Sequence, residues 1–220
     1  MKPRLIVSVS SAQDFINAKS CGPDLIEIRI DLSGEEEKAL LEECSGHGTI
    51  PIVGTIRSLH EGGLFEGSAG EWYEKIEPWI PLCDYIDLEM PFSGFSREIR
   101  DSAKKVISSV HLDYMPDDDE LNSIEKNLRN YGDIPKIIVT PEDRGDLIRL
   151  SEFTLKCAKP VITGVMGADY RWARALCCLF GSYAVFCHAG NPASQGQYHI
   201  DEMRQLLSLL DVSDDTGIPE

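Results

Sequence analysis

Eight short apolar runs alternate with eight helical patterns along the chain, and this alternation limits the fold more than any other feature. The strand-like runs are Leu5–Val9, Leu25–Leu32, Pro51–Arg57, Tyr85–Met90, Lys105–His111, Ile134–Thr140, Pro160–Met166 and Tyr183–His188. Helical patterns follow at Ser11–Ala18, Gly34–Cys44, Glu71–Leu82, Ser96–Lys104, Asp118–Tyr131, Gly145–Ala158, Tyr170–Phe180 and Ile200–Leu210. Eight βα units in 220 residues predict a single-domain (β/α)₈ barrel over 1–211 with a parallel eight-stranded sheet. The stretch 212–220, rich in Asp with Gly and Pro, is expected to be a disordered tail. An open doubly wound sheet is the competing architecture. It carries fewer strands and a glycine-rich first turn, whereas Ser8–Gln13 contains no GxGxxG.

Strands of a parallel barrel are buried on both faces and read as nearly continuous Val, Ile and Leu. Five consecutive runs depart from that rule toward their C-terminal ends. Glu27, Arg29 and Asp31 recur at period two and are expected on one face of the second run; Asp87 and Glu89 repeat the pattern on the fourth. Arg57 closes the third run, His111 closes the fifth, and Lys136 lies within the sixth. Any one of these charges is equally well read as a structural ion pair. Five strands contributing at the end where barrels build active sites point to one constellation.

The chemistry of such a set follows from its parts. A lysine between dry walls and neighbouring cations is expected to have a depressed pKa, leaving an amine free to condense with a ketone. The iminium then acidifies the adjacent carbon. A histidine on the next strand can take that proton and return one to a leaving hydroxyl. Arginines offer bidentate sites for a carboxylate. These are the parts of a Schiff-base lyase acting on a small anionic keto acid.

Composition narrows the setting. A formal net charge of -16 argues against nucleic-acid or anionic-membrane partners. There is no apolar run of spanning length and no signal-like N-terminus, and the seven cysteines show no CxxC spacing. A cytoplasmic protein with reduced, mostly buried thiols is expected.

The blocks Asp24–Asp31, Thr55–Ser58 with Glu61-Gly62-Gly63, Tyr85–Glu89, Ser109–His111, Gly132–Ile137, Met166-Gly167, Arg174 upstream of Phe180-Gly181-Ser182, and Gly196-Gln197 resemble, in order and spacing, type I 3-dehydroquinate dehydratase. The resemblance spans nearly the whole chain. It implies a shikimate-pathway barrel enzyme that needs no cofactor and no metal, and a homodimer. Lys136 would form the Schiff base with the C3 ketone of 3-dehydroquinate. His111 would remove the C2 proton and assist loss of the C1 hydroxyl, giving 3-dehydroshikimate by syn elimination. Glu61 would orient the histidine. Ser8, Glu27, Arg29 and Arg57 would contact substrate, Arg174 would grip its carboxylate, and Gln197 would help to cover it.

Some positions depart from the family pattern. Ser10 shares a face with Ser8, so either could supply the strand-1 hydroxyl. A family serine is replaced by Ala193, beside Ser194, and Ala173 precedes Arg174 where the family has serine. The glycine-rich segment Ser58–Gly70 reads equally as a mobile flap or a surface loop around Glu61. His188 at the end of the last run could face the mouth, and Trp72 and Trp79 read as packing. Competing functions are a sugar-phosphate aldolase, for which Met166–Tyr170 is a poor phosphate cradle, a carboxylate-bound metal site, and a non-catalytic binding barrel.

Overall fold

The computed structural model describes residues 2–46 and 48–212. The predicted tail, apart from Val212, lies outside the described residues. The strands are β1 (Arg4–Val9), β2 (Leu25–Arg29), β3 (Ile52–Thr55), β4 (Tyr85–Glu89), β5 (Lys105–His111), β6 (Ile134–Val139), β7 (Ile162–Val165) and β8 (Ala184–Cys187). They form one parallel sheet in the order β7-β6-β5-β4-β3-β2-β1-β8. Helices α1 (Ala12–Cys21), α2 (Glu37–Cys44), α3 (Ala69–Ile76), α4 (Ser96–Asp101), α5 (Asp118–Tyr131), α6 (Arg144–Lys156), α7 (Ala173–Leu179) and α8 (Ile200–Leu209) follow the strands in turn. This is the expected (β/α)₈ barrel.

The remaining edge, between β7 and β8, is joined at its base. The Tyr183 amide donates to the Val161 carbonyl at 2.7 Å, and the Thr163 amide donates to Ser182 Oγ at 3.1 Å. Ser182 occupies a place taken elsewhere by aspartate. Asp24, Asp84 and Asp133, each just before an even-numbered strand, accept the amides of Leu5, Ile52 and Val106 at 2.8, 3.0 and 2.8 Å. Each clamp fixes the register of a strand pair at the bottom of the barrel.

Helix starts follow local chemistry. Ser11 caps α1 through the Asp14 amide, and Asp117 caps α5 through the Glu120 amide. Ser68 and Glu71 form a reciprocal capping box on α3. The predicted helix over 71–82 is instead α3 followed by a 3₁₀ segment, Glu77–Leu82. Pro78 and Pro81 lack the amide hydrogens that an α-helix would need there. The second predicted strand also ends early, at Arg29, and Ile30–Ser33 form a helical turn. Asp31 therefore leaves the strand face.

Inside the barrel the strands change character in step. Ile6, Leu25, Val53, Ile107, Ile134, Ile162, Ala184 and Phe186 form an apolar cluster with Tyr85 packed against it. Burying an aliphatic side chain there stabilises the fold by roughly 1.5–3 kcal/mol. Two residues further along, on the same inward face, stand Ser8, Glu27, Thr55, Asp87, Ser109 and Lys136. The outer faces pack against the helices, where Trp72 and Trp79 are fully buried, as packing residues should be.

Candidate active site

The apolar layer is a dry floor, and the polar layer above it holds Lys136 in place. Lys136 is 3% exposed. Its Nζ donates to Asp87 Oδ2 at 2.9 Å, lies 3.9 Å from Glu27 Oε1, and sits 4.1 Å from the centre of the Phe186 ring. The dry setting is as expected, but the nearest partners are not the anticipated cations. They are two carboxylates and an aromatic face.

Asp87 is shared. Its Oδ1 accepts Arg57 Nη2 at 2.7 Å and Ser109 Oγ at 2.5 Å, leaving Oδ2 to the lysine. Burial alone would raise the Asp87 pKa, yet Arg57 and Lys136 outweigh it and hold the carboxyl well below the usual range. Arg57 is the hub of the layer. Its Nη1 reaches Glu61 Oε2 at 3.1 Å, Glu89 Oε1 at 2.8 Å and Ser109 Oγ at 3.0 Å. Burial lowers the Arg57 pKa, but Asp87, Glu89, Glu61 and Glu27 together push it above the ordinary guanidinium value. Removing one member of such a network would leave an uncompensated buried charge, at a cost of about 3–5 kcal/mol.

Glu61 arrives from the flap rather than from a strand. The flap is tied down: the Leu59 amide donates to the Phe65 carbonyl at 2.8 Å, and the Phe65 amide donates to the Arg57 carbonyl at 3.1 Å. Gly63 lies so close to Arg57 that a Cβ would stand 2.1 Å from the Arg57 carbonyl oxygen. Glu61 Oε2 thereby meets His111 Nδ1 at 2.8 Å and the His111 amide at 3.1 Å. Burial pushes Glu61 up to about 8, with Arg57 opposing and Glu89 and Asp87 adding. His111 is held well below 6.5 by burial, then by Arg57, Lys136 and Arg29.

Arg29 keeps its position at the end of β2 and forks onto Asp31 at 3.0 and 2.8 Å. Asp31 also accepts the Leu64 amide at 3.2 Å, so the displaced aspartate ties Arg29 to the flap. Glu27 accepts Ser8 Oγ at 2.5 Å and Thr55 Oγ1 at 3.0 Å. Ser8 is buried inside the barrel while Ser10 follows the strand end half-exposed, which settles their register.

The loop after β8 closes the far side. Gln197 Oε1 accepts the amides of Ala193 and Ser194 at 2.9 and 3.4 Å, and its Nε2 reaches Ser8 Oγ at 3.4 Å. Arg174 donates to the Gln195 carbonyl at 3.1 Å, and its buried Nε has no hydrogen-bond partner among the described residues. Burial lowers the Arg174 pKa from its ordinary value.

An open-mouthed cavity of about 110 Å³ lies among these groups. Glu27, Arg29, Arg57, Glu61, His111, Lys136, Arg174 and Gln197 all line it, so eight of the nine residues to which the family resemblance gives a site role border one space, and Ser8 contacts two of them. Ser194, rather than Ala193, is the lid residue on its wall. His188 is not on that wall; its Nδ1 accepts the Gly190 amide and its ring stands edge-on to His199. Thr55, Ser109 and Phe186 were not singled out. The two hydroxyls were legible as period-two companions of Arg57 and His111. Phe186 was not, because its sequence context is that of any core residue.

The chain matches a known family along nearly its whole length. A family model described as Type I 3-dehydroquinase matches residues 8–214. A 3-dehydroquinate dehydratase of Methanoregula boonei is 42% identical over 94% of this chain and 99% of its own length. One from Methanospirillum hungatei is 39% identical over 94% and 81%. Among solved structures, the 3-dehydroquinate dehydratase of Geobacillus kaustophilus superposes with a TM-score of 0.87 at 26% identity, covering 97% of this chain and 93% of its own. The chain belongs to the type I 3-dehydroquinase family of hydro-lyases.

Proposed function

We propose that this enzyme dehydrates 3-dehydroquinate to 3-dehydroshikimate through a Schiff base on Lys136, as a step of the shikimate pathway toward aromatic amino acids. The observation that carries the reading is the shared cavity of Lys136 and His111, bordered by Arg29, Arg57 and Arg174 and closed beneath by apolar side chains. Lys136 Nζ adds to the C3 ketone, and loss of water leaves an iminium that draws electrons from C2. His111 Nε2 is the nitrogen not engaged by Glu61, so it takes the C2 proton and later delivers one to the departing C1 hydroxyl. Hydrolysis of the conjugated iminium frees the product and the lysine. Arg174, with a buried donor to spare, receives the substrate carboxylate, while Ser8, Glu27, Arg29, Arg57 and Gln197 position the ring and its hydroxyls.

The test is spectroscopic. Adding 3-dehydroquinate should produce the absorbance of a conjugated enone, and borohydride added with substrate should abolish turnover and leave a mass adduct on Lys136. Enone formation with no such adduct would sink the Schiff-base assignment.

We further propose that the enzyme is cytoplasmic and homodimeric. Mostly buried cysteines with no CxxC spacing suit a reducing compartment, and among the described residues no helix is long and apolar enough to cross a membrane. On an acidic chain, α6 and α7 present an apolar face with Ile148, Leu155, Trp172 and Leu179 exposed. Arg144 and Glu152 border it two helical turns apart. A two-fold axis near Ile148 would bring the arginine of one copy to the glutamate of the other. Sedimentation should give a dimer, and Ile148→Glu a monomer; a monomeric parent protein would refute the pairing.

A further inference from the structure

Among the groups around Lys136, one carboxylate has no role in the reading above. We propose that Asp87 is the counter-ion of the covalent intermediate: its Oδ2, which accepts a hydrogen bond from Lys136 Nζ, holds the protonated imine nitrogen of Lys136 in the same place. The inference rests on the Schiff-base reading and deepens it.

Charge balance makes the assignment. An ammonium and a ketone give a protonated imine and one water, so the positive charge on Nζ is the same before and after condensation. The nitrogen stays on the same side chain, and a partner suited to the first state is suited to the second. When the C2 proton leaves, its electron pair neutralises the nitrogen as an enamine. When the C1 hydroxyl departs with a proton as water, the charge on nitrogen returns. A carboxylate at this point keeps the imine protonated, and only the protonated imine is an effective electron sink.

Two carboxylates compete for the role, and geometry separates them. Asp87 Oδ2 is 2.9 Å from Nζ, whereas Glu27 Oε1 is 3.9 Å away. Both oxygens of Glu27 already accept hydroxyls, from Ser8 and Thr55. Asp87 divides its duties instead. Oδ1 is taken by Arg57 and Ser109, while Oδ2 faces the lysine without another hydrogen-bond donor among the described residues. Its low pKa keeps it a carboxylate beside the nitrogen. The charged groups around the pair are Glu27 and Arg29 from β2, Arg57 after β3, Glu61 from the flap, Glu89 from β4, His111 from β5 and Arg174 from α7. Among the carboxylates of the described residues, only Asp87 touches Nζ at hydrogen-bond distance.

Borohydride reduces the protonated imine, so its trapping rate against pH reports how firmly that proton is held. The experiment compares wild type and Asp87→Asn, both with 3-dehydroquinate, from pH 6 to 10. The expected result is an alkaline limb displaced downward by about one pH unit or more in the variant, with kcat reduced at least about tenfold. If Asp87→Asn does not fold, Ser109→Ala serves, since it removes the hydroxyl that fixes Oδ1 and should displace the limb in the same direction. Superimposable limbs in wild type and the folded variant would overturn the proposal while leaving the Schiff base intact. Absence of any trapping in wild type would refute the Schiff base, and this inference with it.

Discussion

Glu61 Oε2 accepts both the backbone amide of His111, at 3.1 Å, and a hydrogen bond shared with the same residue's Nδ1, at 2.8 Å. A flap residue thus holds a strand residue at two points, and the imidazole cannot turn without breaking one. The pair has a functional base form when Glu61 is ionised, Nδ1 carries the proton and Nε2 is bare. Because Glu61 is pushed up to about 8, that form grows as pH rises through this value. The acid limb of kcat/KM should therefore lie near 8. Glu61→Gln cannot release a proton, so its limb should move below 6.5, toward the lowered value of His111 itself, with a lower plateau. A limb that stays in place in Glu61→Gln would assign it to another group.

The same shift bears on stability. A carboxyl raised from 4.5 to about 8 on folding retains a proton that the unfolded chain gives up, so its stabilising contribution is complete below 4.5 and is lost as pH rises to about 8. Over that window the slope should approach about 1.4 kcal/mol per pH unit. Urea unfolding of wild type and Glu61→Gln between pH 5 and 9 reads it directly. Wild type should lose stability relative to the variant as pH increases, and parallel curves would contradict the raised value.

Lys136→Ala should abolish turnover and borohydride trapping together. His111→Ala should slow turnover by about 10²–10⁴-fold yet still yield the trapped adduct. The contrast is the informative part, because it separates the nucleophile from the proton carrier. Trapping that persists in Lys136→Ala would mean that a different lysine is attacked.

Gly196→Ala tests the lid. Gly196 has a φ of +78°, and a Cβ there would stand 2.2 Å from the Gly167 carbonyl oxygen in the loop after β7. Strain and clash together should cost about 1–3 kcal/mol and move Gln197 and Ser194 off the cavity. A several-fold rise in KM with a smaller loss in kcat is expected from steady-state kinetics. Unchanged kinetics would show that the lid loop is not part of substrate binding.

Much of this protein was readable in one dimension. Strand residues alternate sides, so Glu27, Asp87, Ser109 and Lys136 were bound to share the barrel interior once their runs were recognised as strands, and although one buried charge reads equally as an ion pair, a set of them on consecutive strands reads as a site. Asp31 shows the limit of that periodicity: the strand stopped two residues before it, and a helical turn carried it off the face, although it still found Arg29. The partners of Lys136 were not legible either. Which carboxylate stands at 2.9 Å and which at 3.9 Å depends on the stagger of neighbouring strands, and residues 87 and 136 meet only when the barrel closes. Period and composition specify which side chains face inward, because each strand's pleat decides that locally. Distances among groups on different strands come from register, twist and flap placement, which are collective properties of the folded barrel.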